Sequence, residues 1–278
     1  MCGTCGCSDP ANDVKMVDPE TGKETLIRQG GLLHDHDHGH DHHHHHPHEG
    51  DDKPHAHGPN GEIISLEQAV LSKNDSIAAR NRGWFEGRGV LALNLVSSPG
   101  AGKTTLLERT IAEMAGKRMI YVIEGDQMTS NDAERIRAAG ARAIQINTGA
   151  GCHLEADMIA DAVATLAPEP GALLLIENVG NLVCPSMFDL GEHMKVAVIS
   201  TTEGEDKPLK YPHMFRAAGL VIINKIDLAP HVDFDEDLCR RNIAEVNGTA
   251  RIFSLSAKTA EGMDNWLGFL DGAVVGRR

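Results

Sequence analysis

From Val90 onward the chain alternates between short apolar runs and segments whose apolar residues recur every three or four positions. The runs VLALNLVS, RMIYVIE, ARAIQIN, ALLLIENVG, KVAVIST, GLVIINK and RIFSLS are rich in β-branched residues and scarcely interrupted, which predicts seven buried strands. Between them lie the amphipathic stretches TLLERTIAEMAG, SNDAERIRAAG and HLEADMIADAVATL, and closing helices are predicted near 236–246 and 261–272. This alternation predicts an α/β fold, a mostly parallel sheet with helices on both faces.

Upstream the pattern changes twice. Ile64, Val70, Leu71, Ile77 and Ala78 fall at roughly helical spacing and predict one or two helices leading into the domain. Residues 34–57 hold 12 of the 16 histidines, interleaved with aspartate, and present no apolar face to bury. Disorder in the absence of metal is expected there. Residues 8–33 are polar with little periodicity. The chain therefore divides into a cysteine motif at 1–7, a flexible linker at 8–62 containing the histidine tract, and a globular domain at 63–278.

Charge narrows the choice of partners. Across 278 residues the net charge is −14, which argues against nucleic acid or an anionic membrane surface as the main partner. No run approaches the roughly 18 apolar residues of a membrane span. The start, MCGTCGCSDP, has neither a basic nor an apolar leader region, so a cytoplasmic protein is expected.

SSPGAGKTT at 97–105 follows a strand and opens a helix, where a phosphate-binding loop belongs. Gly100, Ala101 and Gly102 would turn backbone N–H groups toward phosphate at the positive end of a helix dipole. Lys103 would reach the β- and γ-phosphates, Thr104 would bind Mg²⁺, and Thr105 completes the loop. The strict pattern has glycine at 97, and this chain has Ser97. NKID at 224–227 follows another strand; Asp227 can accept two hydrogen bonds from guanine, while Asn224 holds the loop and the Lys225 stem covers the ring. Ser256, Ala257 and Lys258 follow the last strand, where a backbone N–H could meet the guanine O6. In this order the three motifs favour GTP over ATP. Asp126 and Glu177 sit at strand ends and could reach Mg²⁺, the competing reading being solvated or capping acids. Glu177 opens E-N-V-G, which would let Gly180 sense the γ-phosphate. No glutamine or arginine finger is evident, so slow intrinsic hydrolysis is expected.

Cysteine and histidine add a second chemistry. Cys2, Cys5 and Cys7 place three thiolates within six residues, a set that suits planar Ni²⁺ if the Cys2 amine joins it, where Zn²⁺ prefers a tetrahedron. A redox-active or unpaired cluster is the alternative. His34, His36, His38, His40, His42, His43, His44, His45, His46 and His48 read as a multi-site store for borderline cations. The tract is internal and broken by Asp, Gly and Pro, unlike a purification tag. Cys152 and His153 lie in a glycine-flanked loop before a helix, and Cys184 follows Glu177 by seven residues. Either one metal spans the three, or the cysteines are unrelated and His153 caps a helix. Cys239 reads as core, and His193, His213 and His231 as surface or packing residues.

The combination of CxxCGC, a His-rich insert, SSPGAGKTT, the GCH loop, ENVGNLVCP and NKID resembles the HypB family, GTPases of nickel insertion into [NiFe]-hydrogenase, over nearly the whole chain. The resemblance implies the SIMIBI class of P-loop GTPases and a homodimer promoted by GTP. It implies GTP/GDP, Mg²⁺, Ni²⁺ and Zn²⁺ as ligands. It also implies partners similar to HypA and the hydrogenase large subunit, with SlyD as a further candidate. Cys2, Cys5 and Cys7 then correspond to a tight nickel site, and Cys152, His153 and Cys184 to a G-domain site for nickel or zinc, often shared across the dimer. Many relatives in the class carry a lysine early in the P-loop where this chain has Ser98. The urease GTPase UreG is the near rival, but its metal motif is Cys-Pro-His, and here Cys152 and His153 are adjacent. A passive nickel store and a P-loop kinase are the readings from other classes. Intact Lys103, Thr104 and Asp227 oppose the first, and NKID opposes the second.

Overall fold

The computed structural model describes residues 13–18, 21–28, 55–57, 63–126 and 131–273. In chain order the elements begin with β1 (Val14–Asp18), β2 (Lys23–Arg28), β3 (His55–His57), β4 (Ile63–Ser65), α1 (Leu66–Arg88), β5 (Leu91–Ser97) and α2 (Lys103–Glu113). They continue with β6 (Ile120–Asp126), α3 (Asn131–Ala138), β7 (Arg142–Asn147), α4 (Ala156–Leu166), β8 (Leu173–Glu177), α5 (Cys184–Met187) and β9 (Met194–Ser200). The last are α6 (Lys207–Lys210), α7 (Pro212–Ala217), β10 (Ala218–Asn224), α8 (Glu236–Val246), β11 (Arg251–Ser254) and α9 (Met263–Gly272).

All seven predicted strands form, and they lie parallel in one sheet of order β11-β10-β9-β5-β8-β6-β7. Successive residues point to opposite faces, so each strand feeds two cores. On one face Leu93, Leu95, Leu220 and Ile222 pack with Leu106, Leu107 and Ile111 of α2 and Trp266 and Leu270 of α9. On the other, Ala92 and Ile123 meet Phe85 of α1 and Met158, Ile159 and Ala162 of α4. Val221 and Ile223 meet Phe215 of α7 and Ile243 of α8 on that same face, together with the fully buried Cys239. No helix among the described residues is long and apolar enough to cross a membrane.

The sheet has two more strands than the pattern predicted. β1 pairs antiparallel with β7, Lys15 opposite Asn147 and Met16 opposite Ile146, and β2 pairs with β1. Val14 and Met16 supply buried side chains to the core beneath α4, which anchors a stretch expected to be linker. His55–His57, expected to be disordered with the rest of the histidine tract, forms a short ladder with β4. The other tract histidines and Cys2, Cys5 and Cys7 lie outside the described residues.

The predicted helix ahead of the domain is the single helix α1, but its inward face differs from the expected one. Val70 is 43% exposed, and the buried line is Asn74, Ala78, Asn81 and Phe85. The two asparagines carry hydrogen bonds. Asn74 Nδ2 donates to Asp189 O and Asn74 Oδ1 accepts from Ala156 N, while Asn81 Nδ2 reaches Ala156 O and Leu190 O. Through them α1 holds the start of α4 and the loop after α5.

Candidate nucleotide and metal site

A cleft of about 520 Å³ opens at the carboxyl ends of β5, β6 and β8. This is the edge where parallel α/β sheets present their loops to ligands. Its wall is the turn between β5 and α2. Gly100 and Gly102 have φ of +77° and +96°, conformations that a side chain would strain. A Cβ on Gly102 would stand 2.6 Å from Asn224 Nδ2, so the second glycine also makes room for the neighbouring loop.

That neighbour is the NKID loop, and the two are bonded together. Asn224 Nδ2 donates to Ala101 O at 2.9 Å, and Lys225 Nζ donates to Gly100 O at 2.7 Å. Asn224 Oδ1 accepts from Lys225 N and from Ala257 N. The Ala257 amide, one of the N–H groups expected to face a base, is thus engaged in holding the loop. Asp227 accepts from Ser256 Oγ at 2.6 Å, and Lys258 O and Ala257 O accept from Arg109. All three sequence motifs of the nucleotide reading therefore converge on one end of the sheet.

Lys103 is buried in the cleft wall, and its ammonium donates to Ser97 Oγ at 2.7 Å. The serine standing where the strict motif has glycine thus gives the lysine a partner. Burial pushes the Lys103 pKa down, and Glu177, Glu203, Asp132 and Asp126 push back. Ser98 donates to the Glu203 carboxylate. Glu203 also closes a capping box with Ser200 and lies 3.6 Å from Lys207.

Opposite the lysine is an acidic group larger than predicted. Thr104 Oγ1 donates to Glu177 Oε1 at 2.9 Å and lies 3.5 Å from Asp132 Oδ2. Glu124 on β6 stands directly across from Glu177 on β8 in the strand register. Burial, followed by the charges of Glu177, Asp132 and Asp126, pushes the Glu124 carboxyl up to about 9. Burial also raises Glu177, against the pull of Lys103 and the Thr104 hydroxyl. Glu124 Oε2 and Glu177 Oε2 are both buried without a hydrogen-bond partner. Two residues paired across the strands thus each bring an unsatisfied carboxyl oxygen, the donor type that a hard divalent cation takes. Asp126 lines the same cleft, as do Asp132 and Arg135, and Arg135 is paired to Glu108 at 2.6 Å and to Asp132 at 2.9 Å. Glu124, Asp132 and Arg135 were not anticipated as site residues. The available signal was a carboxylate inside an apolar strand, which is costly unless it has work to do.

The metal candidates also come together. The ligand atoms of Cys152, His153 and Cys184 lie within 4.8 Å of one another, with Cys152 Sγ 3.6 Å from His153 Nδ1. Cys152 and His153 are buried and Cys184, at the first position of α5, is partly so. The His153 ring stacks on Phe188 with centroids 3.8 Å apart, and Nε2 lies 3.8 Å from Glu155. His193 is a packing residue whose Nδ1 accepts from Ala92 N, and His213 and His231 are exposed.

The cleft and the candidate cysteine–histidine cluster meet at Asn178. Its Oδ1 accepts from Leu154 N, next to His153, and from Val179 N in the cleft wall, at 3.2 and 3.0 Å. Its Nδ2 donates to Asn94 Oδ1, and Asn94 Nδ2 donates to Glu192 Oε1.

A family model for the CobW/HypB/UreG nucleotide-binding domain matches residues 91–254. The chain is 58% identical to the hydrogenase maturation factor HypB of Rhizobium leguminosarum bv. viciae, over 80% of this chain and 75% of that one. It is 47% identical to the HypB of Azotobacter vinelandii over 98% of this chain and 92% of the relative. The crystal structure of Helicobacter pylori HypB in complex with nickel superposes with a TM-score of 0.68 at 42% identity, covering 71% of this chain and 93% of the other.

Proposed function

Because the chain belongs to the HypB hydrogenase maturation factors, within the CobW/HypB/UreG family, we propose that it is a GTP-hydrolysing nickel chaperone. One observation carries the reading: in a compact Cys152–His153–Cys184 set, Cys184 follows the segment Glu177–Gly180 that lines a P-loop cleft, and the Cys152–His153 loop is bonded to that segment through Leu154 N and Asn178 Oδ1.

In this reading the base is selected by Asp227, an acceptor-only carboxylate facing paired guanine donors and braced by Ser256 Oγ. Lys103 and the P-loop amides bind the phosphates. Thr104, Glu177, Glu124 and Asp126 would hold magnesium, which when bound screens the charge of the phosphates. Among the described residues the arginine lining the cleft, Arg135, is tied to Glu108 and Asp132, which suits slow unassisted turnover.

Nickel is the cargo. Cys152, His153 and Cys184 receive it, and zinc competes for the same sulfur and nitrogen donors. Cys2, Cys5 and Cys7 form the capture site, and the histidine tract serves as a reserve. The antiparallel β1 supports a short route between the two sites. Val14 is anchored where Lys15 faces Asn147, at the end of β7 that runs into the Cys152 loop. The seven residues from Cys7 to Val14 can span at most about 25 Å. Nucleotide turnover in a cytoplasmic homodimer then passes the ion toward a HypA-like chaperone and the hydrogenase large subunit, with SlyD as a further candidate partner.

The test is hydrogenase activity in a strain lacking the protein. Restoration by added nickel, and by the intact gene but not by Lys103→Ala, is the expected result. A strain that nickel leaves unrescued would place the protein outside metal delivery.

A further inference from the structure

The loop carrying His153 is held at two points by one buried polar chain. From Asn178, which bonds the Leu154 amide, the chain runs through Asn94 Nδ2 to Glu192 Oε1 at 3.1 Å. Glu192 Oε2 accepts from Leu190 N at 2.7 Å, and Lys195 Nζ lies 2.5 Å from Glu192 Oε1. Lys195 Nζ also donates to Phe188 O at 2.9 Å, and the Phe188 ring stacks on His153. The circuit therefore closes on His153, with Leu154 on one side and Phe188 on the other. Asn178, Asn94 and Glu192 are all nearly inaccessible to solvent, at 1%, 0% and 6% exposure.

The same Asn178 oxygen also accepts from Val179 N, in the segment Glu177–Gly180 that lines the nucleotide cleft. Gly180 packs so closely under the P-loop that a Cβ there would be 3.1 Å from Pro99. A displacement of this segment cannot leave the Leu154 amide satisfied unless Leu154 follows, because a buried amide that loses its acceptor costs about 1–3 kcal/mol.

We propose that Asn178 is the positioning residue that couples the nucleotide state of the cleft to nickel affinity at Cys152, His153 and Cys184, with Asn94 and Glu192 as its rigid support. This rests on the nickel-chaperone reading and deepens it by naming the tie. Asn178 acts through Leu154 and Val179, and it is neither a nickel ligand nor a catalytic residue.

The experiment uses the full chain carrying Cys2, Cys5 and Cys7→Ser, so that thiolate-to-nickel charge-transfer absorbance reports the Cys152–Cys184 site without the histidine tract. Nickel affinity is measured in chelator-buffered Ni²⁺ with GDP and with a non-hydrolysable GTP analogue. The parent should show an affinity ratio between the two states in the range of about 5- to 150-fold typical of coupled sites. In Asn178→Ala the ratio should fall to within about twofold of one. By thermodynamic reciprocity, the nickel-induced change in nucleotide affinity should shrink by the same factor. Asn94→Ala, at a residue that bonds Asn178 but neither Leu154 nor Val179, should reduce the ratio part of the way and carries the test alone if Asn178→Ala does not fold. Full retention of the ratio in the folded variants overturns the proposal, even if both absolute affinities drop, since a merely structural role would weaken both states equally. A ratio of one in the parent would instead defeat the nucleotide-gated reading on which it rests.

Discussion

Glu124→Gln should make the nucleotide-free protein more stable while weakening its hold on magnesium–nucleotide. Glu124 is buried across from Glu177, with the charges of Asp132 and Asp126 nearby, and its carboxyl titrates at about 9 instead of the ordinary 4.5. Below pH 4.5 the folded and unfolded states are both protonated and nothing is lost. From there up to about 9 the unfolded chain releases a proton that the folded chain keeps, so stability falls as pH rises. Each pH unit is worth about 1.4 kcal/mol, and by pH 7 the accumulated loss is about 3 kcal/mol. Glutamine has the same shape and no titration, so this loss disappears. Urea unfolding without nucleotide or divalent ions, at pH values from 5 to 8, is the assay. The parent midpoint should fall steadily with pH, and the Glu124→Gln midpoint should be flatter and higher at pH 7 and 8. Adding Mg·GDP should close the gap by stabilising the parent more than the variant. Parallel pH profiles for the two proteins would refute the burial argument.

Asp227→Asn exchanges an acceptor-only carboxylate for an amide, and with two charge-assisted hydrogen bonds lost GDP affinity should drop at least about 100-fold. Xanthosine diphosphate, whose base offers a carbonyl in place of the guanine amine, should bind the variant better than GDP does. A titration with both nucleotides checks this. Gly102→Ala forces a Cβ to 2.6 Å from Asn224 Nδ2 in a left-handed conformation, so nucleotide binding should be lost in a protein that retains its helical circular dichroism. Met16→Asp puts a carboxylate at a position only 5% exposed, which should release β1 from β7 and open the β1 and β2 strands to limited proteolysis. GDP affinity should change little, because the cleft lies on β5, β6 and β8.

The parallel strands were legible because burial on both faces demands continuous apolar runs, and LLLIE and LVIIN leave little else to predict. The loops at 97–105 and 224–227 stood out for a related reason, since each follows such a run, and the structure brings them together. β1 and β2 were not. Val14 and Met16 are the inward pair of a short polar stretch, and their pairing is decided by contact with β7, far away in sequence. The inward face of α1 was hidden because Asn74 and Asn81 occupy positions where a periodicity count looks for apolar residues. Glu124 was passed over as the end of a strand, and only the register places it beside Glu177. Cys184 shows the limit of spacing. Its separation from Cys152 left a shared site and two unrelated cysteines equally open, and folding brings the ligand atoms within 4.8 Å. The helices α5, α6 and α7, of four to six residues, are too short to show a period.

The central claim is that the metal ligands and the nucleotide cleft form one linked system, and calorimetry on the full chain with Cys2, Cys5 and Cys7→Ser tests it most directly. GDP and a non-hydrolysable GTP analogue are titrated with and without bound nickel at Cys152, His153 and Cys184. Linkage predicts that nickel shifts the relative affinity of the two nucleotides, and that Cys184→Ser abolishes the shift. A GDP-to-analogue ratio that is the same with and without nickel would contradict the account.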